Sequence, residues 1–212
     1  MTSILIDAGG VALDADLSVP AYPSGVVLFA HGAGSSRHSP RNTVVAERLH
    51  RAGFATLLVD LLTPVDSLSE EARYDIPRLA GRVTALVRSA GERPELAGLP
   101  VGLFGASSGA AAALIAAGER PGDVAAVVCR GGRPDLATGL LGRVWAPTLL
   151  IVGALDTGVL ELNRRAAGEL GGKSEVAVIA RAGHLFEEPG TLAEAADWTA
   201  AWFVEHLPDG RK

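Results

Sequence analysis

The feature that most restricts how this chain can fold is an alternation. Short aliphatic runs are separated by longer amphipathic segments along nearly its whole length. The runs are Val26 to Ala30, Ala55 to Val59, Val101 to Phe104, Ala125 to Cys129, Thr148 to Val152 and Glu175 to Ile179. Nearly every residue in them is apolar, which suits strands covered on both faces rather than strands with one wet side. Helical periodicity fills the intervals, in Arg41 to Arg51, Ile76 to Ala90, Ser108 to Gly118, Val159 to Leu170 and Leu192 to His206. Repeated strand-then-helix units predict an α/β fold, a mostly parallel sheet with helices on both faces. Upstream, Ile4 to Asp7 and Val11 to Leu17 flank Gly9-Gly10 and predict an antiparallel hairpin on the sheet edge, for about eight strands in all.

No linker, repeat or long charge run interrupts this series, so a single domain over residues 1–212 is expected. The segment from Cys129 to Trp145 has room for at most one small helix. No inserted cap domain is therefore expected above the sheet.

Bulk properties remove several classes of function. A formal net charge of −5 offers no basic face for a phosphate backbone, so nucleic acid is not an expected partner. The apolar runs fall well short of the roughly 20 residues a membrane-spanning helix needs. The start, Met1-Thr2-Ser3-Ile4, lacks the charged and apolar regions of a secretion signal, and a cytoplasmic location is the expectation. The single cysteine, Cys129, rules out an intramolecular disulfide and a multi-cysteine metal site; it reads as a buried small hydrophobe. Neither a cofactor nor a metal is called for.

Chemistry enters directly after the Val101 run, where Gly105-Ala106-Ser107-Ser108-Gly109 matches G-x-S-x-G between a strand and an alanine-rich helix. Small residues are required there, because a serine held on a sharp, strained turn leaves no space for side chains two positions away. A serine hydroxyl is a poor nucleophile at neutral pH. It needs an imidazole to take its proton and an acid to fix that imidazole's tautomer. Asp156 follows the Thr148 run and His184 follows the Glu175 run, so both leave the sheet on the same edge as Ser107. The order Ser, Asp, His is also that of α/β hydrolases. Ser107, Asp156 and His184 are thus the expected catalytic residues, although Asp156 also suits an N-cap for the following helix.

His31-Gly32-Ala33-Gly34 follows the first strand run, where a glycine-rich turn supplies one backbone donor of an oxyanion hole while the residue after the nucleophile supplies the other. Ala33 and Ser108 are assigned these N–H groups, with the choice within Gly32 to Gly34 left open. His31 is expected to hold the loop through a backbone hydrogen bond, and His50 and His206 to lie on the surface. The glycine turn does not read as a phosphate loop, since no Gly-Lys-Ser/Thr follows and the G-x-G-x-x-G spacing is absent. Arg37, Arg130 and Arg133 follow strand ends and could hold a substrate carboxylate, or be structural. Leu61, Leu62, Leu185 and Phe186 are candidate walls for an acyl group, or core.

With the elbow, the His-Gly loop and the ordered acid and base in place, the chain resembles the α/β-hydrolase superfamily and, within it, the dienelactone hydrolase-like group. The resemblance covers nearly the whole chain. It is most specific in His31 to Asn42, Gly105 to Ala113, Arg130 to Asp135 and Gly183 to Pro189. It implies an eight-stranded, mostly parallel sheet and hydrolysis of a small-molecule ester or lactone through an acyl-enzyme. Dienelactone hydrolases carry cysteine as nucleophile, whereas Ser107 stands here, so the dienelactone substrate does not carry over. Transfer of the acyl group to an alcohol, thiol or peroxide by the same three residues is the alternative reading. A catalytically idle binding protein of the same fold is the third. Oligomeric state is open.

Overall fold

A computed structural model describes residues 1–207. The last five positions of the expected domain, 208–212, lie outside the described residues. The chain order is β1 (Thr2–Asp7), β2 (Ala12–Ser18), β3 (Gly25–Ala30), α1 (Pro40–Arg51), β4 (Phe54–Val59), α2 (Glu70–Tyr74), α3 (Ile76–Gly91), β5 (Val101–Ala106), α4 (Ser108–Glu119), β6 (Val124–Arg130), β7 (Thr148–Gly153), α5 (Thr157–Glu169), β8 (Ser174–Ile179) and α6 (Thr191–His206). Eight strands form one sheet in the order β1-β2-β4-β3-β5-β6-β7-β8. Among the described residues, only the contacts of β2, with β1 and with β4, are antiparallel. This is the α/β architecture that the alternation predicted.

All six residues of β3, β4, β5 and β7 are buried, as continuous apolar runs require. Exposed β1 alternates instead, with Leu5 outward and Ile6 inward. On one face, Leu79, Val83 and Leu86 of α3 pack with Ala110 to Ala113 of α4 over Leu28, Leu57 and Leu103. On the other, Val45 and Leu49 of α1 meet Ala195, Trp202 and Phe203 of α6 over Phe29, Phe104 and Leu149. Between Cys129 and Trp145 the expectation of at most one small helix is exceeded by two single-turn 3-10 segments, Pro134–Ala137 and Leu141–Arg143. Neither is long enough to cap the sheet.

Strand order decides where a ligand can enter. From β3 the chain moves outward to β4, then returns past β3 to β5 and continues the other way, so β3 and β5 are neighbours at the point where the winding reverses. Loops leaving the carboxyl ends of such a pair diverge to opposite faces and open a crevice. The His31 turn and Ser107 leave from these two ends.

Candidate active site

Ser107 is one of three non-glycine residues with positive φ among the described residues, at φ 52 and ψ −124. That conformation costs about 1–3 kcal/mol and persists only where the surroundings impose it. Here they do: Ser107 N–H donates to Arg130 O at 3.2 Å, and Ser107 O accepts from Ala110 N–H at 3.1 Å and Arg133 N–H at 3.0 Å. The glycines of the motif are sterically fixed. A Cβ at Gly105 would stand 2.5 Å from Ala110 Cα, and one at Gly109 would stand 2.2 Å from Ala30 O. Helix α4 therefore lies hard against the strands, and its N-terminus presents Ser107 above the sheet edge.

His184 lies between Ser107 and Asp156. Its Nε2 is 3.5 Å from Ser107 Oγ, and its Nδ1 is 2.6 Å from Asp156 Oδ2. The short carboxylate contact assigns the proton to Nδ1 and leaves the Nε2 lone pair facing the serine. At 3.5 Å the serine contact is long for a hydrogen bond. Asp156 does occupy the N-cap position of α5, yet its carboxylate caps no N–H of that helix. Its oxygen goes to the imidazole.

The loop carrying His184 is held from two sides. Glu188 Oε1 accepts Gly183 N–H at 3.0 Å, and Gly131, at φ 53, packs so closely that a Cβ would stand 3.2 Å from His184 O. Asn163 Nδ2 donates to Gly132 O at 2.9 Å and so anchors the turn beneath the imidazole. Neither Glu188 nor Asn163 was singled out from sequence. Glu188 falls inside the motif Gly183 to Pro189, whereas Asn163 sits on α5, 31 positions from the carbonyl it binds.

Ala33 N–H, one of the two assigned oxyanion donors, points to Ser108 Oγ at 2.9 Å. The loop is thereby tied to the elbow. Gly32 passes so near that a Cβ would meet Ser107 Cβ at 2.9 Å. His31 performs the structural role expected of it: buried, it accepts Leu61 N–H on Nε2 at 3.0 Å, and Nδ1 donates to Gly32 O at 2.9 Å. Burial keeps its pKa below the ordinary 6.5, so the ring is neutral.

A cavity of about 190 Å³ opens at Ser107, lined by Gly32, Ala33, Ser39, Asn42, Arg130 and Leu185 among others. Arg41 also reaches it. Sequence reading missed Arg41 and Asn42, although Ser39-Pro40 after β3 marks a helix start that puts the first turn of α1 at the sheet's carboxyl edge. Larger grooves lie elsewhere. One of about 500 Å³, bordered by Arg88, Arg120 and Asp123, sits at the amino ends of β5 and β6 and holds no nucleophile beside a base.

Several expectations need correction. Arg37 is not in the Ser107 cavity; it pairs with Asp60, and with Asp16 at 3.3 Å, in a neighbouring groove that also takes in Leu62. Phe186 is no wall for a substrate either. At φ 55 it turns back into the core, where it is buried and lies 5.7 Å from the Arg130 guanidinium. Leu61 and Arg133 take the core and structural alternatives that the sequence left open: Leu61 is buried, and Arg133 is paired with Asp135 at 2.7 Å. His206 is largely covered, edge-on to Trp202 at 4.1 Å. Arg130 and Leu185 do line the cavity, and Cys129 is buried with its thiol pushed up to about 12. No group of three or more metal-ligating side chains occurs among the described residues.

Sheet order, elbow and crevice together define the α/β-hydrolase class. A crystal structure of dienelactone hydrolase from Anabaena variabilis is 48% identical and superposes with a TM-score of 0.95 over 97% of each chain. The chain belongs to the dienelactone hydrolase-like group of the α/β hydrolases. Est1E from Butyrivibrio proteoclasticus shares the fold at 15% identity, with a TM-score of 0.81 over 96% of this chain and 98% of that one. Two curated sequences from Mycobacterium tuberculosis strains, named "Putative phosphoribosyl transferase", are 53% identical over 204 residues. That match takes in 96% of this chain but only 46% of theirs, so the chain spans less than half the length of these relatives. No family model matches. No helix among the described residues is long and apolar enough to cross a membrane.

Proposed function

We propose that the protein hydrolyses small carboxylic esters through an acyl-enzyme formed on Ser107. The observation that carries this reading is the strained Ser107 with His184 Nε2 at 3.5 Å and Asp156 bound behind the imidazole at 2.6 Å. His184 takes the hydroxyl proton as Ser107 Oγ attacks the ester carbonyl, then delivers it to the departing alcohol. Asp156 fixes the tautomer and stabilises the imidazolium. Water, deprotonated by the same His184, attacks the acyl-serine and releases the acid.

Negative charge on the carbonyl oxygen is met by Ser108 N–H and Ala33 N–H, the latter exchanging its Ser108 Oγ partner for the developing oxyanion. A single such donor is worth roughly 2.7–4 kcal/mol in the transition state. The transferase name of the M. tuberculosis relatives belongs to proteins of which this chain matches 46%, and the segment shared with them carries the serine, acid and base. Acyl chemistry is accordingly assigned to that segment.

The test is covalent labelling. A fluorophosphonate probe should modify the folded protein at Ser107 and nowhere in the Ser107→Ala variant, which should also lose at least about a thousandfold in kcat on aryl esters. Labelling that survives the substitution would refute the assignment of the nucleophile.

A further inference from the structure

The turn that carries Ala33 N–H is fastened at both ends to one dipeptide, Asp60-Leu61, which directly follows β4. At the near end, buried His31 accepts Leu61 N–H on Nε2 at 3.0 Å. At the far end, Arg37 donates its backbone N–H to Asp60 Oδ1 at 2.6 Å and its Nη1 to Asp60 Oδ2. Between these anchors runs Gly32 to Ser36, with Gly34 at φ 72 and a bond from Ser35 N–H to Gly32 O at 3.1 Å.

Arg37 is gripped from a second strand as well. Asp16 of β2 is 3% exposed and has Oδ2 3.3 Å from Arg37 Nε, while its Oδ1 accepts the Ser3 hydroxyl at 2.6 Å. Asp60 N–H donates to Asp14 O at 2.9 Å, so the residue that holds Arg37 is itself set against β2. The Arg37 side chain is mostly covered, which reduces the screening of both ion pairs by salt. Two carboxylates from neighbouring strands thus converge on one loop arginine. That arginine lines the adjoining groove and not the Ser107 cavity, so holding the loop is the work left to it.

The need for such a hold arises during the reaction. With no ester bound, Ala33 N–H is tied to Ser108 Oγ at 2.9 Å, which links the turn to the elbow. When Ala33 N–H turns to the oxyanion that link is given up, just as the donor has to stand within about 2.7–3.1 Å of the developing charge. Its aim then depends on the packing of Gly32 against Ser107 Cβ and on the two anchored ends.

We infer that Arg37, through its pair with Asp60, is a positioning residue that keeps Ala33 N–H aimed at the oxyanion once Ser108 releases it. The inference rests on Ser107 as nucleophile and Ala33 as oxyanion donor, and it deepens that reading. Neither Arg37 nor Asp60 touches the reacting atoms.

The test compares Arg37→Gln, Arg37→Lys and Asp60→Asn on p-nitrophenyl acetate. Arg37→Gln should lower kcat by roughly 10- to 100-fold and leave KM within about twofold, because a displaced donor weakens the transition state and spares substrate binding. Arg37→Lys keeps a charge beside Asp60 and should restore kcat to within about fivefold of the unaltered protein. Joining Arg37→Gln to Asp60→Asn should cost about as much as the larger single change, since both act through one contact. Hydrogen exchange gives a reading independent of turnover. The amides of Ala33 to Ser36 should exchange at least about tenfold faster in Arg37→Gln, with those of β3 and β5 unchanged.

A lowered Tm with kcat and turn exchange both unchanged would overturn the proposal and leave Arg37 a brace between β2 and β4. A rise in KM at constant kcat would overturn it too. If Arg37→Gln does not fold, Asp60→Asn decides, because its amide oxygen still accepts from Arg37 while the charge is gone. A loss in kcat of about threefold or more at unchanged KM then supports the clamp, and a smaller change refutes it. Absence of fluorophosphonate labelling in the unaltered protein would remove the hydrolase reading and the clamp's catalytic role with it. Labelling at Ser107 together with an unchanged kcat in the folded Arg37→Gln variant would remove the clamp alone.

Discussion

At the scale of single residues, the buried groups next to the site set how the protein responds to pH. His31 is neutral because burial disfavours its cation, and its Nε2 is already occupied by Leu61 N–H. Its folded pKa thus lies below the unfolded value of 6.5. As pH falls through that value the unfolded chain takes up a proton that the folded chain refuses, so unfolding becomes easier; above it the effect disappears. The slope from this one group is at most about 1.4 kcal/mol per pH unit. Urea denaturation at about pH 7.5 and pH 5.5 should show the loss, and His31→Gln, whose amide oxygen can still accept Leu61 N–H, should flatten the slope.

Among individual residues, the positions of Ser107, Asp156 and His184 at one sheet edge were legible and those of the flanking side chains were not. Ser107, Asp156 and His184 each come within a few positions of a strand end, so strand prediction fixed which edge they occupy. Arg37 and Phe186 depend on loop conformation. Arg37 finds Asp60 and Asp16, carboxylates far from it in sequence, and a positive φ at Phe186 reverses the direction of its side chain. Hydrophobic periodicity carries no information on either.

Secondary elements were read well where burial is two-sided. The runs of β3 and β4 begin one residue earlier than the sequence suggested, at Gly25 and Phe54, and β5 extends to Ala106. Helix α2 was missed because five residues are too few for a 3.6-residue period to register; the clue was Ser69 before Glu70-Glu71, whose hydroxyl accepts Ala72 N–H at 3.2 Å. Glycine placement allows a sharper test at this scale. Gly32→Ala puts a methyl group against Ser107 Cβ, and since three hydrogen bonds pin the serine, the loop has to yield. A fall in kcat/KM of about 100-fold is expected, because displacement of about 1 Å at a reacting centre has that effect. Gly81→Ala is the contrast: nothing lies within 4 Å of its added Cβ in the interior of α3. It should raise stability by roughly 0.5–1 kcal/mol in the same denaturation assay.

For the molecule as a whole, the absence of a cap among the described residues and the small cavity set the scale of the substrate. About 190 Å³ next to Ser107 is less than the 300 Å³ or more typical of pockets for drug-sized ligands. In a series of p-nitrophenyl esters, kcat/KM should peak at acyl chains of about two to four carbons and fall beyond them. An optimum at eight or more carbons would contradict that picture of the site. The overall topology was accessible from the sequence because every βα unit repeats one pattern. Which strands become neighbours was not, since the reversal at β3 leaves no local mark.

One thiol lies at the centre of this sheet. Cys129 on β6 has no solvent exposure, and its pKa near 12 keeps it protonated. A thiol reagent therefore has nothing to react with until β6 separates from β5 and β7, which makes Cys129 a built-in stopwatch for opening of the sheet centre. Labelling by excess reagent under native conditions should be slow and single-exponential, and it should accelerate with urea in parallel with global unfolding. Prompt labelling in the absence of urea would mean that the sheet opens locally beneath the site, and that the strand carrying Arg130 moves while the rest of the fold stays intact.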